Sequence, residues 1–138
     1  MTARHPRPLP ADRRGATVVE FALLAPVFLS MLFAIVEGSR FLWIKQSVKE
    51  VAFSTARCTS VSADCKTPAA RTDYAVGRAR TYGQRLVATD VVVTSGTTCN
   101  AATGMVKVVI SLPFRSPVVG LLPGIPADVT ATGCYPLL

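Results

Sequence analysis

An α+β fold is predicted by three observations: an apolar run near the N-terminus that passes into an amphipathic helical pattern, a helix-capping pattern in the middle of the chain, and β-branched segments confined to the C-terminal part. The expected architecture is a long N-terminal helix, half transmembrane and half amphipathic, then a second short helix and a small antiparallel β-sheet of about three strands. The chain has 138 residues, half of them hydrophobic, which is enough for one modest core and not for two.

The long helix rests on the run Ala16 to Val36, whose single ionisable side chain is Glu20. As a helix rising about 1.5 Å per residue it reaches roughly 31 Å, the hydrocarbon thickness of a bilayer. No other segment is long and apolar enough to span again. Before it stand Arg4, Arg7, Arg13 and Arg14 against Asp12 alone, so the N-terminus is expected on the cytoplasmic side and everything after Val36 on the far side. Residues 1–12, with Pro6, Pro8 and Pro10 and no apolar period, read as unstructured. Thr17 and Glu20 have the T-x-x-E spacing of a capping box, which starts the helix near residue 17, and Pro26 is expected to kink it.

Beyond Val36 the pattern becomes amphipathic. Phe41, Ile44, Val48, Val51 and Thr55 recur at spacings of three and four, with Arg40, Lys45, Gln46, Lys49 and Glu50 on other faces. Trp43 and Arg40 stand where an interfacial anchor is expected. The helix is expected to end near residue 57, giving a length of about 60 Å. The polar "CTSVSADCKT" follows as a loop. Thr67 as N-cap and Pro68 as first helical residue then open the second helix, with Ala75, Ala79, Tyr82 and Leu86 along one side and an end near residue 83.

The remainder reads as sheet. "RLVATDVVVTS" and "MVKVVISL" form a hairpin joined by a long loop, "GTTCNAATG". The proline-rich "PFRSPVVGLLPGIP" cannot be a central strand, and "ADVTATGCY" alternates as a third strand.

Cys58, Cys65, Cys99 and Cys134 all follow the apolar run, which points to an oxidising compartment and two disulfides. A metal centre is disfavoured by irregular spacings and by the absence of histidine after His5. Cys58 and Cys65 flank six residues, so a local bridge is feasible. An antiparallel third strand returns Cys134 beside the hairpin loop and Cys99, which favours Cys58–Cys65 with Cys99–Cys134 among the three possible pairings.

The formal charge of +7 includes +3 from the first 15 residues, four arginines less one aspartate. The remaining charge is scattered, and the densest group, Arg78, Arg80 and Arg85, has only Tyr82 as an aromatic neighbour, so nucleic-acid binding is not expected. Nor is catalysis: Asp64, Asp73, Asp90 and Asp128 lie on different elements, and no phosphate-cradling glycine loop is present. No cofactor is expected.

Three readings compete for "RRGATVVEF". A secretory signal peptide would be cut at Ser39 after Val36 and Gly38, but the apolar run is long for that and the amphipathic helix would be severed from it. Glu20 as a simple capping residue near the positive helix end explains its tolerance there, but not Gly15 after Arg13 and Arg14. The third reading is cleavage between Gly15 and Ala16. A basic leader ending in glycine, a glutamate at the fifth position of the trimmed chain and a following apolar run resemble the class III signal of type IV prepilins. More narrowly, "RRGATVVEFALLAPVFLSMLFAIVEGSRFLW" is similar to the TadE-like family of the tight-adherence (Flp) pilus machinery.

The resemblance implies a pilin-like fold divided into a cytoplasmic prepilin leader at 1–15, a transmembrane helix at 16–36 and a periplasmic head at 37–138 that includes the amphipathic continuation. It implies a prepilin peptidase, other pilins or pseudopilins, the inner-membrane assembly platform and membrane lipid as partners, with Glu20 and the adjoining Phe21 in assembly. Removing 15 of 138 residues leaves 123, long for the bulk subunit of such a fibre, so a minor pilin or pseudopilin is expected. The alternative is an exported binding module whose helix is only a tether and whose 113–126 loop meets the partner.

Overall fold

The computed structural model describes residues 14–116 and 126–138. The leader through Arg13, and residues 117–125 of the proline-rich loop, lie outside the described residues. The described residues fall into two units, divided between Val36 and Glu37.

Helix α1 runs over Arg14–Val61, 48 residues with Pro26 inside it. Its bounds correct the expected ones at both ends. An N-cap residue lies outside the helical conformation, whereas Thr17 is already in the helix, so it does not cap α1. At the other end Cys58–Val61 continue the helix instead of opening the loop, and the Thr59 hydroxyl donates to the Thr55 carbonyl at 2.9 Å within that last stretch. In the first unit the side chains of α1 face outward: an 18-residue window of mean hydropathy 2.3 has none of its share buried, and the helix is long and apolar enough to cross a membrane.

The second unit is the head. A single turn of 3₁₀-helix at Ala63–Cys65 leads to α2 at Pro68–Thr81, whose N-cap Thr67 accepts a hydrogen bond from the Ala70 N–H at 3.2 Å. Proline at the first position removes a donor that would have had no acceptor. Helix α2 stops at Thr81, and Gly83 at φ +73° supplies the left-handed turn that ends it.

Strands β1 (Val91–Cys99), β2 (Ala102–Pro113) and β3 (Asp128–Pro136) form one antiparallel sheet in the order β1-β2-β3. Residues 85–90 do not begin β1 as expected. Ala88–Asp90 form a 3₁₀ turn, held by the Asp90 carboxylate accepting from the Val87 N–H at 3.1 Å. The hairpin is also tighter than expected: Cys99 pairs with Ala102, leaving Asn100 and Ala101 as a two-residue turn at φ 48° and 66°. Register shifts on either side of Thr97, with Gly96 at φ +71°, take up the irregularity that the sequence suggested as loop.

The core lies between the amphipathic half of α1 and one face of the sheet. Val48, Val51, Ala52 and Ala56 meet Val106, Val108, Ile110, Leu112 and Ala131, with Ala75 and Ala79 of α2 closing one side. Strand β3 comes close to α1 at Gly133: a Cβ built there would stand 2.4 Å from the Ala52 carbonyl carbon and the Phe53 nitrogen. Glycine is therefore the residue that lets β3 lie against the helix backbone.

Candidate assembly site

The sequence singles out Gly15, Ala16, Glu20 and Phe21, and the structure places all of them near the start of α1, exposed. Arg14 is the first described residue of the helix, and Arg13 lies outside the described residues. Ala16 and Glu20 are four residues apart and so share a helix face one turn from each other. Around them Val18, Val19, Phe21, Leu23 and Leu24 are each at least 60% exposed, so the carboxylate stands in an apolar surface that nothing in its own unit covers.

The four cysteines are paired as Cys58–Cys65 and Cys99–Cys134. The first ties the last turn of α1 to the 3₁₀ turn. The second joins the end of β1 to β3, because Cys134 stands opposite Lys107 on β2 while Cys99 closes the neighbouring hairpin. Among the described residues no cluster of His, Cys, Asp and Glu is arranged to hold a metal ion.

A polar site that the sequence reading missed lies at the start of the head. Glu37 is only 9% exposed, and its two carboxylate oxygens accept from the Arg40 guanidinium and from the Ser116 hydroxyl, each at 2.7 Å. The Ser116 hydrogen bond, helped by Arg40, holds the Glu37 carboxyl below its ordinary value of 4.5, against burial, which pushes it up. One turn further along, Phe41 meets Phe114 edge to face at 5.4 Å. Together these contacts fasten the segment after β2 to α1. Glutamate with arginine three residues on was a visible signal; Ser116, 79 positions away, carried none.

At the far end of the helix, β3 is fastened in a similar way. The Ser60 hydroxyl donates to the Pro136 carbonyl at 2.5 Å and accepts from the Leu138 N–H at 3.2 Å, and Phe53 packs edge-on against Tyr135 at 5.9 Å.

No curated protein and no solved structure matches the chain. Residues 15–57, which hold Gly15, the apolar run and the amphipathic continuation as far as Arg57, match the family model described as TadE-like protein.

Proposed function

We propose that the protein is a minor pilin or pseudopilin that takes part in assembling a tight-adherence (Flp) pilus, with a structural role and no catalysis of its own. The observation that carries this reading is the TadE-like match, which begins at Gly15 and runs unbroken through the outward-facing apolar helix into the head. A prepilin peptidase cuts after Gly15 on the cytoplasmic side, leaving Ala16 as the new N-terminus of a single-pass inner-membrane protein with a periplasmic head. Signal-peptidase cleavage at Ser39 would divide the matched region in two.

Removal of the arginine-bearing leader does two things at once. It takes away the charges that hold the N-terminus at the cytoplasmic surface, and it creates an α-amino cation at Ala16. A charge left unpaired at a bilayer's centre costs about 2.5 to 3.5 kcal/mol by insertion scales, less near its edge. Glu20 of one subunit neutralises the Ala16 amine of its neighbour, so both desolvated charges are satisfied and the stagger between adjacent helices is selected. Phe21 and the apolar residues around it fill the remaining contact.

Mass spectrometry of protein isolated from cells that carry the processing machinery tests the reading. A mature chain beginning at Ala16 is expected; one beginning at Ser39, or retaining Met1 or Thr2, overturns it. Glu20→Ala is expected to insert normally and to stop assembly, and normal piliation in that variant would remove the charge pairing from the mechanism.

A further inference from the structure

Trp43 is the chain's one tryptophan and is 61% exposed, with Leu42 beside it at 64%. Both belong to the head, yet they face away from its core. Ser39, Arg40, Trp43 and Ile44 of α1, together with Gly83 and Gln84, line an open groove of roughly 560 Å3. The turn after α2 forms the second wall: the Gly83 N–H donates to the Arg80 carbonyl at 2.9 Å and the Gln84 N–H to the Ala79 carbonyl at 3.0 Å. Exposed Arg80 and Arg85 flank that turn, and exposed Arg40 and Lys45 flank Trp43. The nearby carboxylate, Glu37, is engaged by Arg40 and Ser116.

An exposed indole and leucine, with exposed Lys45, Arg80 and Arg85 close by in sequence to the residues that line the groove, is the chemistry of a membrane's headgroup layer, where an amphipathic ring sits level with phosphates and each basic residue near an anionic surface contributes about 1 kcal/mol. Trp43 follows Val36 by seven residues, so the chain between them reaches at most about 25 Å and leaves the headgroup layer within range of the groove. We infer that this groove is a docking surface for an anionic phospholipid leaflet, on which the head rests before its subunit is drawn into a filament. The inference rests on residues 16–36 being a membrane span.

Because there is a single tryptophan, the full chain reports on this groove without labelling. In lipid nanodiscs of phosphatidylcholine, with and without phosphatidylglycerol, quenching of Trp43 by neutral acrylamide is expected to fall roughly two-fold or more when the anionic lipid is present. The double variant R80E/R85E is expected to abolish that difference while leaving the circular dichroism spectrum unchanged. Equal quenching in both discs, or a difference that survives charge reversal, overturns the docking surface. So does protection that requires a second copy of the chain in the disc but not the anionic lipid, which would assign the groove to a protein neighbour. A chain that fails to co-elute with the discs overturns the membrane span itself, and the groove with it.

Discussion

Residues 16–36 and residues 37–61 belong to one run of α-helix and treat their apolar side chains in opposite ways. In the first stretch the large apolar residues are between 44% and 73% exposed, whereas in the second Val48, Val51, Ala52, Thr55 and Ala56 are at most 2% exposed. The pattern explains the difference. An amphipathic helix has one apolar stripe, and the head's sheet covers it; a helix apolar all round needs cover on every side, which its own unit does not supply. At roughly 25 cal/mol for each Å2 of apolar area, leaving such a surface in water is unfavourable, and lipid or other subunits' helices would supply the cover in the function proposed above. The head is thus a fold complete in itself, and the apolar helix becomes complete only in an environment.

The sharpest way to break the head's half of this comparison is Gly133→Ala. A methyl at 2.4 Å from the Ala52 and Phe53 backbone cannot be relieved by a rotamer change, because the colliding atoms are main chain. Either β3 leaves the helix, exposing Ala131 and Val129, or α1 shifts from Val51. A loss of about 3 kcal/mol or more is expected, read as a drop in the chemical-denaturation midpoint of the full chain in detergent. Unchanged stability would mean that β3 does not lie against α1 in solution.

A pair of substitutions on the same helix sharpens the contrast. Val51→Ala empties space in the core and is expected to cost about 2 kcal/mol, since Val51 is 1% exposed and packed between helix and sheet. Leu24→Ala removes a larger side chain that is 61% exposed and is expected to leave the head's unfolding within about 0.5 kcal/mol of the parent. Circular dichroism during chemical denaturation of the full chain in detergent measures both. Equal costs would show that the two halves do not differ as described.

What the sequence revealed follows the same division. Periodicity reports local patterning, so the change from uniform apolarity to spacings of three and four exposed the two halves of α1, and β-branched runs exposed three strands. Thr67 and Pro68 marked the start of α2 because capping chemistry is local. The hairpin turn was hidden: Asn100 and Ala101 both take positive φ, and alanine there runs against residue preference, so no dipeptide signal announced a two-residue loop. The start of α1 was misread for a related reason, since a T-x-x-E spacing occurs inside helices as well as at their ends. At the candidate site, Glu20 is conspicuous as a charge in an apolar run, but the group proposed to answer it is on another molecule. At Glu37 the arginine three residues on was legible, but Ser116 reaches it only through the fold.

Glu37 supplies the smallest effect and the most specific one, because it stands at the first residue of the head, where the two helical environments meet. Its folded-state pKa lies below the unfolded value near 4.5, so the folded head binds fewer protons at this group than the unfolded chain. The stabilisation is therefore fully present above that unfolded value and is lost as pH falls through the depressed folded one. Glu37→Gln keeps the shape and removes the charge, leaving Arg40 and Ser116 with a neutral acceptor. Thermal unfolding of the two proteins in detergent should differ measurably at pH 7, and the gap should close as the solution is acidified below 4.5, since both then present an uncharged group. All other carboxylates are common to the pair, so their titration cancels in the difference. A gap that stays constant down to acid would mean that the charged form of Glu37 is not what ties the segment after β2 to the helix, and would leave Phe41 against Phe114 among the contacts that hold it.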